Sequence, residues 1–453
     1  MKSKLLLFFL VMSISCFSQD SIFQLKDYKY RTPGYQGLAL NVDLSGSYSN
    51  ANANNTETGR SNYTALGPIS ADYFRIQSTD KRFQQTTVSL STDYSNNNRK
   101  DQQEKYTLKQ FSSQAVWKVQ TRDYKANQWF LEWGNELRGN IRTASNQSGL
   151  FKTNSTQQAA SNAFTIGFGK GRIEWVQDAQ MALFILQDLS SQNLLNRLPS
   201  SDEAVQFARL ITDINNRRVF DSRRRRVYEL SRIDSFLKNS GLVTQTDIRH
   251  FTTVNDNWAF AIKPFRQSGA AWFARLKPSV SFDRNRTDNK FQPQPSYAEN
   301  RGWWLAFSPE FGYGAYKPIS LKWQRNFSIA ISYSGSQVYY QQKQASNAGE
   351  TVSKIEGYSG GMNLNTAYSI GYFPKTRTQL TAALSLNGAY YKNYRSASSS
   401  LNVSADYFLG YRTYLRGSIA ASYAYDHFDN VPTDLTRKNF SGGFSLRLSH
   451  SIF

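Results

Sequence analysis

The sequence predicts an all-β transmembrane protein, a closed antiparallel barrel of about 14 strands with an α-helical insert between strands 6 and 7. Two patterns in the 453 residues support this fold class. Most of the chain alternates apolar and polar side chains with a period of two, which gives a ribbon one face for lipid and one for water. Between residues 174 and 260 the apolar period becomes helical.

Residues 1–18 are predicted to be a secretory signal. Lys2 and Lys4 give the charged start, residues 5–12 the apolar run and Ser18 the cleavage site. The single cysteine, Cys16, lies in SISC, which lacks the leucine and small pair usual in a lipoprotein signal. We therefore expect Cys16 to leave with the signal, with lipidation as the alternative. The mature chain would then contain neither disulfides nor cysteine-ligated metal.

The composition fits a barrel better than a bundle of membrane helices. Beyond the signal, no stretch approaches the ~18 uninterrupted apolar residues that a membrane helix requires, and the mean hydropathy is −0.57. Barrel strands explain both facts, because only every second residue faces lipid. The 27 Tyr, 30 Phe and 9 Trp residues suit aromatic girdles at two membrane interfaces.

The net charge of +21 raises the question of nucleic acid as a partner. A secretory signal argues against it, and no nucleic-acid-binding motif of recognisable spacing occurs, so we expect no nucleic-acid partner. We expect the positive charge instead to contact outer-membrane lipid and the phosphates of lipopolysaccharide, or to line a pore for anions.

Six strands are predicted before the insert, at about 36–49, 61–77, 83–97, 106–121, 127–146 and 157–172. Eight follow it, at about 270–286, 299–316, 320–340, 354–372, 376–393, 397–412, 414–428 and 438–453. Each exceeds the ~9–11 residues that a tilted strand needs to cross. Pro278 and Pro309 fall inside strands, which predicts bulges there or misplaced boundaries.

Connection lengths alternate between the two ends of the predicted barrel. The connections at one end are mostly polar and longer, at 51–60, 98–105, 148–155, 287–298, 343–352, near 396 and at 429–437. Those at the other end are tight, such as 79–81, 317–319 and 373–375. Tight turns are typical of the periplasmic end. The chain therefore divides into signal 1–18, strands 19–173, insert 174–260 and strands 261–453, with the insert following a descending strand into the periplasm.

The insert is predicted to be a small α-helical module with three helices, near 176–189, 200–214 and 227–237. Ser200 and Glu203 have the spacing of a capping box, and Gly241 ends the third helix. Six arginines lie close together, at Arg217, Arg218, Arg223, Arg224, Arg225 and Arg226. They form either a solvated helix face or a docking site for an anionic periplasmic protein or polymer.

Little in the sequence points to catalysis. The three histidines, His250, His427 and His450, are far apart and form no metal-binding pair, so no metal or other cofactor is expected. A hydrolase using His427 or His450 is the weakest alternative, because no GxSxG elbow is present and His450 shares the lipid-facing parity. We predict that the protein is not an enzyme.

Charged side chains on the predicted inner face are the candidate solute site. They are Glu132, Glu136, Arg138, Arg142, Arg275, Lys277, Asp406, Arg412, Arg416 and Arg447. Acidic and basic groups on the walls of a wet lumen orient and sort charged solutes. Alternatively, the same groups pair with one another and fill the interior.

The alternating strands, the terminal SLRLSHSIF and the signal ending SCFSQ resemble Gram-negative outer-membrane β-barrel proteins of the porin-like kind, and the FSQ end is similar to exported proteins of the Bacteroidota. The resemblance covers about residues 30–172 and 262–453. In such barrels a terminal Phe shares the apolar parity, whereas here Ile452 does and Phe453 is one step off.

Two functions remain open. The first is an outer-membrane channel for charged solutes or polymer, with the helical module as a gate or docking site. The second is a non-conducting anchor or scaffold that acts through residues 174–260.

Overall fold

The computed structural model describes residues 23–43, 69–100, 105–149, 151–216, 222–258, 266–290, 296–346, 349–410, 413–429 and 435–451. The predicted signal and the terminal Phe453 lie outside these residues.

Fourteen antiparallel strands close into one barrel, in which each strand pairs with its neighbours in sequence and β1 pairs with β14. The strands before the helices are β1 Thr32–Asp43, β2 Ile69–Ser78, β3 Arg82–Lys100, β4 Lys105–Tyr124, β5 Trp129–Ser148 and β6 Phe151–Trp175. Those after them are β7 Gln267–Lys290, β8 Ser296–Pro318, β9 Trp323–Ser346, β10 Gly349–Lys375, β11 Thr378–Tyr391, β12 Tyr394–Gly410, β13 Thr413–Phe428 and β14 Leu435–Ser451. The predicted fold class is confirmed.

The barrel has a helical end, where the helices and tight turns lie, and an opposite far end. Many strands run further toward the far end than the sequence indicated, and β10 has 27 residues. The expected long connections near 148–155 and 343–352 are therefore wrong, because only residues 149–150 and 347–348 separate the paired strands there. Polar segments predict loops by their composition, but backbone hydrogen bonds extend a ladder whatever the side chains are.

The expected bulges at Pro278 and Pro309 do not form. The register between β6 and β7 is the same on both sides of Pro278, and only the pairs at that point are missing. Pairing between β8 and β9 is interrupted in the same way at Pro309. A proline has no N–H to donate, so it removes one step from one ladder without shifting the strand.

Two aromatic girdles bound the outer surface. Trp129 and Trp272 meet edge-on near the helical end, with ring centroids 5.4 Å apart. Phe282 and Trp303 lie toward the far end, 5.1 Å apart. From Trp272 to Phe282 the strand rises roughly 33 Å, which is about 25 Å along the axis at the usual strand tilt. Such a height matches the apolar band of membrane barrels.

In the described part of the chain four α-helices follow β6, namely α1 Gln177–Ser191, α2 Ser201–Asn216, α3 Ser222–Asn239 and α4 Ile248–Trp258. The predicted capping box is present, with the amide of Ser200 donating to Glu203 (2.8 Å) and the amide of Glu203 donating to Oγ of Ser200 (3.3 Å). A hydrogen bond from Arg197 helps to lower the pKa of Glu203 to about 2. The sequence missed α4, whose polar TTVNDN run conceals its short apolar stripe. No helix in the described ranges is long and apolar enough to cross a bilayer.

The core of the helical module includes residues from the start of the chain. Residues 23–30, which we call the N-terminal strap, contribute Phe23, Leu25, Tyr28 and Tyr30 to the same buried cluster as α1–α4. Ile76, on the inner face of β2, belongs to this cluster too. The division at residue 174 therefore missed the strap, which packs with the module while its sequence neighbours form the barrel.

Arg266 anchors the segment that connects the helical module to β7. Its fully buried guanidinium donates to the carbonyls of Ser320, Leu321 and Trp323 in the β8–β9 turn, and also to Gln324. Burial lowers the pKa of Arg266 to about 9, so the group is still charged at neutral pH. These acceptors compensate for the lost hydration of the cation.

We expect Arg266→Met to destabilise the protein by about 3 kcal/mol, because three carbonyls lose their buried donor. The shift of the urea midpoint in detergent, followed by tryptophan fluorescence, measures this loss. Arg325→Met, which removes an exposed cation from β9, is the matched control. Equal midpoints for the two variants would show that the buried contacts carry no net stability.

Candidate lumen site and barrel mouth

A chain of ion pairs crosses the inner wall from β4 to β8. Glu132 is 2 % exposed and lies between Arg122 (2.8 Å) and Arg275 (3.2 Å). Arg275 also binds Glu310 at 2.6 Å, and Lys277 pairs with the other oxygen of Glu310. We call these five residues the inner charge cluster. Three cations share two carboxylates, so the cluster is net positive.

A glycine allows the pairing across β6. Glu132, Gly167 and Arg275 are direct neighbours on three adjacent strands. A Cβ at Gly167 would lie 2.6 Å from Cβ of Arg275. Without that atom, the guanidinium of Arg275 reaches over β6 to Glu132.

Aromatic rings support the two arginines of the cluster. The guanidinium carbon of Arg122 lies 4.8 Å from the ring centre of Phe130, and that of Arg275 lies 4.2 Å from the ring centre of Phe273. Cation–π contacts of this kind hold guanidinium groups flat against a wall. The cluster is therefore preorganised before any solute enters.

The other predicted lumen residues fall into separate groups. Glu136 pairs with Arg138 and with Lys118. Asp406 receives a bidentate pair from Arg416, at 2.6 and 2.8 Å. Arg447 is the direct neighbour of Arg416 on β14. Arg142 shares the inner face of β5 with Glu132, whereas Arg412 lies outside the described residues.

The inner charge cluster borders a cavity with a polar lining. Arg122, Arg275 and Glu310 line this cavity of about 440 Å³. Its lining also includes Ser328, Asn365, Ser385 and Asn387, whose hydroxyl and amide groups are uncharged. The cavity therefore combines fixed charge with neutral hydrogen-bonding groups.

Sequence analysis missed Arg122, Glu310, Lys118 and Gly167. Strict alternation along 116–122 would have placed Lys118 and Arg122 on the inner face. Glu310 has the inward parity of β8 but directly follows Pro309, which interrupts the pairing of that strand. The role of Gly167 depends on its neighbours in adjacent strands, which the sequence alone does not give.

The mouth is the opening of the barrel at its helical end. On one side of it, two arginines connect the β2–β3 turn to the end of β6. Arg31, between the N-terminal strap and β1, pairs with Asp80 (2.6 Å) and Glu174 (2.8 Å). Arg172, near the end of β6, donates to the carbonyls of Thr79 (2.7 Å) and Asp80 (3.0 Å) in the β2–β3 turn. Because β4 and β5 separate β6 from β3 in the barrel wall, the end of β6 reaches across the mouth.

The helical module is attached to the other side of the mouth through α4. Asp256 pairs with Arg377, and Asn257 accepts a hydrogen bond from Thr376 at 3.2 Å. Both partners form the β10–β11 turn, on a different part of the rim from β2 and β6. The module is therefore held at widely separated points around the mouth.

The arginine group of the module is partly used in internal contacts. Arg225 is buried and pairs with Glu229 at 2.5 Å, and Arg226 donates to Asn255 at 2.6 Å. Arg224 is exposed on α3. Arg217 and Arg218 lie outside the described residues, as does the side chain of Arg223. A docking role for this group stays a prediction, and Arg225 and Arg226 serve the packing of α3 against its surroundings.

The histidines do not come together. His427 and His450 lie at opposite ends of the β13–β14 pair, on the outward face, bonded to Thr436 (3.0 Å) and Thr413 (2.8 Å). His250 is buried in α4. Within the described ranges, no group of three or more His, Cys, Asp or Glu side chains is placed to hold a metal.

No protein-family model matches the chain, and no curated protein matches it. Solved structures that are similar include the Pseudomonas putida toluene transporter TodX, with 7 % identity over 96 % of this chain and 94 % of that one, at a TM-score of 0.38. The Ralstonia pickettii toluene transporter TbuX has 6 % identity over 92 % and 89 %, at a TM-score of 0.37. The translocator domain of autotransporter NalP from Neisseria meningitidis has 8 % identity over 83 % and 88 %, at 0.30.

The module contains a buried carboxyl that makes its stability depend on pH. Burial raises the pKa of Asp178 to about 6, although Thr212 and Asn215 donate hydrogen bonds to it. The unfolded value is about 3.9. The folded state thus holds the proton more tightly, so the contribution of Asp178 to stability is full below about pH 4, falls between about pH 4 and 6, and is constant above.

We expect Asp178→Asn to remove most of this dependence, which amounts to at most roughly 3 kcal/mol. Urea unfolding followed by helical circular dichroism at pH 4 and pH 7 provides the measurement. If wild type and variant lose the same stability over that interval, Asp178 is not the titrating group.

Proposed function

We propose that the protein is an outer-membrane channel for small charged solutes, with anions preferred, and that the helical module closes the mouth on the periplasmic side. The main support is the net-positive inner charge cluster beside an open cavity. Cationic groups on a pore wall raise the local concentration of anions and repel cations.

The outer surface supports placement in a membrane. Leu305 and Phe307 on β8 are more than half exposed, as is Ile166 on β6. They lie between girdles about 25 Å apart, the height of the apolar band of bacterial barrels. A closed ladder also leaves no edge that would have to be satisfied in lipid.

The attachment of the module supports its role as a gate. Its contacts to the β10–β11 turn include an exposed ion pair and a side-chain hydrogen bond. Exposed ion pairs contribute about 0–1 kcal/mol each. By contrast, the strap and the inner face of β2 share a buried apolar core with the helices. The β10–β11 side is the weaker attachment, so we propose that the module opens there.

The first prediction concerns ion selectivity in planar bilayers. Lys118 and Arg138 are inward cations whose side chains are about half exposed. We expect Lys118→Gln/Arg138→Gln to lower the anion-to-cation permeability ratio by roughly twofold or more, measured as a shift of the reversal potential in a salt gradient.

Lys170→Gln is the control, because Lys170 stacks on the outward Trp129 ring and should leave the reversal potential unchanged. An unchanged reversal potential in the double variant would contradict anion selection by the inner wall.

The second prediction concerns the gate. Arg377→Glu places like charges together with Asp256, and we expect conductance to rise by up to about fivefold, the equivalent of about 1 kcal/mol. The charge swap Asp256→Arg/Arg377→Glu should restore the wild-type conductance. If the single variant and the swap conduct alike, this pair does not hold the gate.

A non-conducting scaffold is the second candidate, favoured by the buried core that joins the module to the barrel. It would replace the channel if wild type and Arg377→Glu both fail to conduct while folded in the bilayer.

A further inference from the structure

A group of outward cations lies beyond the far girdle, on the face formed by β6 to β10. They are Lys152, Arg284, Arg286, Lys290, Arg301, Lys343 and Lys354, and we call them the outer basic face. The ladders from β5 to β10 run without register shift, so alternation fixes which side chains point outward. These cations share the parity of the outward rings of Phe282 and Trp303.

Like charges face one another across two of the ladders. Lys152 is the direct neighbour of Lys290 between β6 and β7. Arg284 is the direct neighbour of Arg301 between β7 and β8. Directly opposed like charges destabilise a sheet unless an anion lies between them.

Carboxylates from the same face neutralise only part of this charge. Glu299 lies between Arg284 (2.6 Å) and Arg301 (3.0 Å). Asp288 pairs with Arg286 (3.0 Å), and Glu350 pairs with Lys343 (2.7 Å).

Three lysines of the outer basic face are left over. Lys152, Lys290 and Lys354 are exposed and form no ion pair with any residue in the described ranges. They are therefore available to an external anion.

The height of the outer basic face indicates what kind of anion fits. Arg284 and Arg301 are two residues past the girdle, or roughly 7 Å along the strand, and Lys290 is eight residues past it, or roughly 27 Å. At the usual tilt the face rises about 20 Å above the girdle. A phospholipid headgroup layer is only about 5–8 Å thick, so a phospholipid would reach only the lowest cations.

We propose that the outer basic face binds a phosphorylated glycolipid of the outer leaflet, with lipid-anchor phosphates at Arg284, Arg301 and Lys354 and acidic groups of the sugar core near Lys152 and Lys290. Charge complementarity and the height of the face select this ligand over other lipids. The assignment rests on the proposed orientation, with the far end at the cell surface.

The test uses the full-length protein in detergent, titrated with rough lipopolysaccharide that carries core phosphates. We expect Lys152→Gln/Lys290→Gln/Lys354→Gln to weaken binding by at least about tenfold, since each cation near an anionic surface contributes to attraction. None of these changes removes the partner of a carboxylate in the described ranges. Lys354→Gln alone should weaken binding about threefold, and heat-modifiable migration on gels verifies folding.

Lys170→Gln/Arg325→Gln is the control, because it removes two outward cations at the helical end and should leave binding unchanged. Dephosphorylated lipopolysaccharide and phosphatidylglycerol vesicles are the comparison ligands, and we expect both to bind wild type weakly. Equal binding of either ligand, or equal weakening in the control, overturns the assignment.

Conductance of the triple variant separates this proposal from the channel. If the triple variant binds the glycolipid more weakly than wild type but wild type does not conduct, the channel proposal is wrong and the glycolipid site is supported. If wild type conducts but binds the glycolipid as tightly as the triple variant does, the channel is supported and the glycolipid site is wrong.

Discussion

The rest of the structure depends on one constraint, the closure of a backbone hydrogen-bonded ladder around 14 strands. Once the ladder closes, no strand edge is left to satisfy, and the alternation of side chains assigns each residue to the lumen or the exterior. The ladders from β5 to β10 keep one register throughout. Rows of residues consequently run around the wall, and neighbours in space come from distant parts of the chain.

The inner charge cluster is a product of that row geometry. Arg122, Glu132, Arg275 and Glu310 belong to one row, and Gly167 leaves the gap that lets the ion pairs cross β6. Burying a carboxylate such as Glu132 is tolerated because two guanidinium groups reach it, and each of these is supported by an aromatic ring. The inward charges of this cluster pair with one another, and one cation in excess of the carboxylates remains beside the cavity.

The helical module lies at one end of the barrel and shares its apolar core with the barrel. The N-terminal strap and Ile76 of the wall belong to the same buried cluster as the helices. Arg266 and Arg172 then join segments that are distant in sequence at the rim. The result is an asymmetric attachment, apolar on the side of β1 and β2 and polar at the β10–β11 turn.

Much of the fold was predictable from sequence. The dyad alternation gave the number of strands, the helical period gave the insert and three of its helices, and the capping box at Ser200 and Glu203 is present because a cap is a local interaction. The ends of the strands toward the far end were not predictable, since polar segments such as 152–157 carry no apolar signal. The packing of the N-terminal strap was not predictable either, because its partners on α1 and α2 are more than 140 positions away in the sequence.

The sequence by itself therefore determined what depends on near neighbours: which residues are strand or helix, which of them face the same side, and that the chain suits a barrel with a helical insert. The tertiary structure alone decided which inward charges pair, that Gly167 opens the path between Glu132 and Arg275, and where the module is fastened to the rim. The physical reason is that alternation along one strand determines which face of the wall a side chain occupies. Which charged side chains pair depends on the register between strands, and that register follows from the closed ladder as a whole.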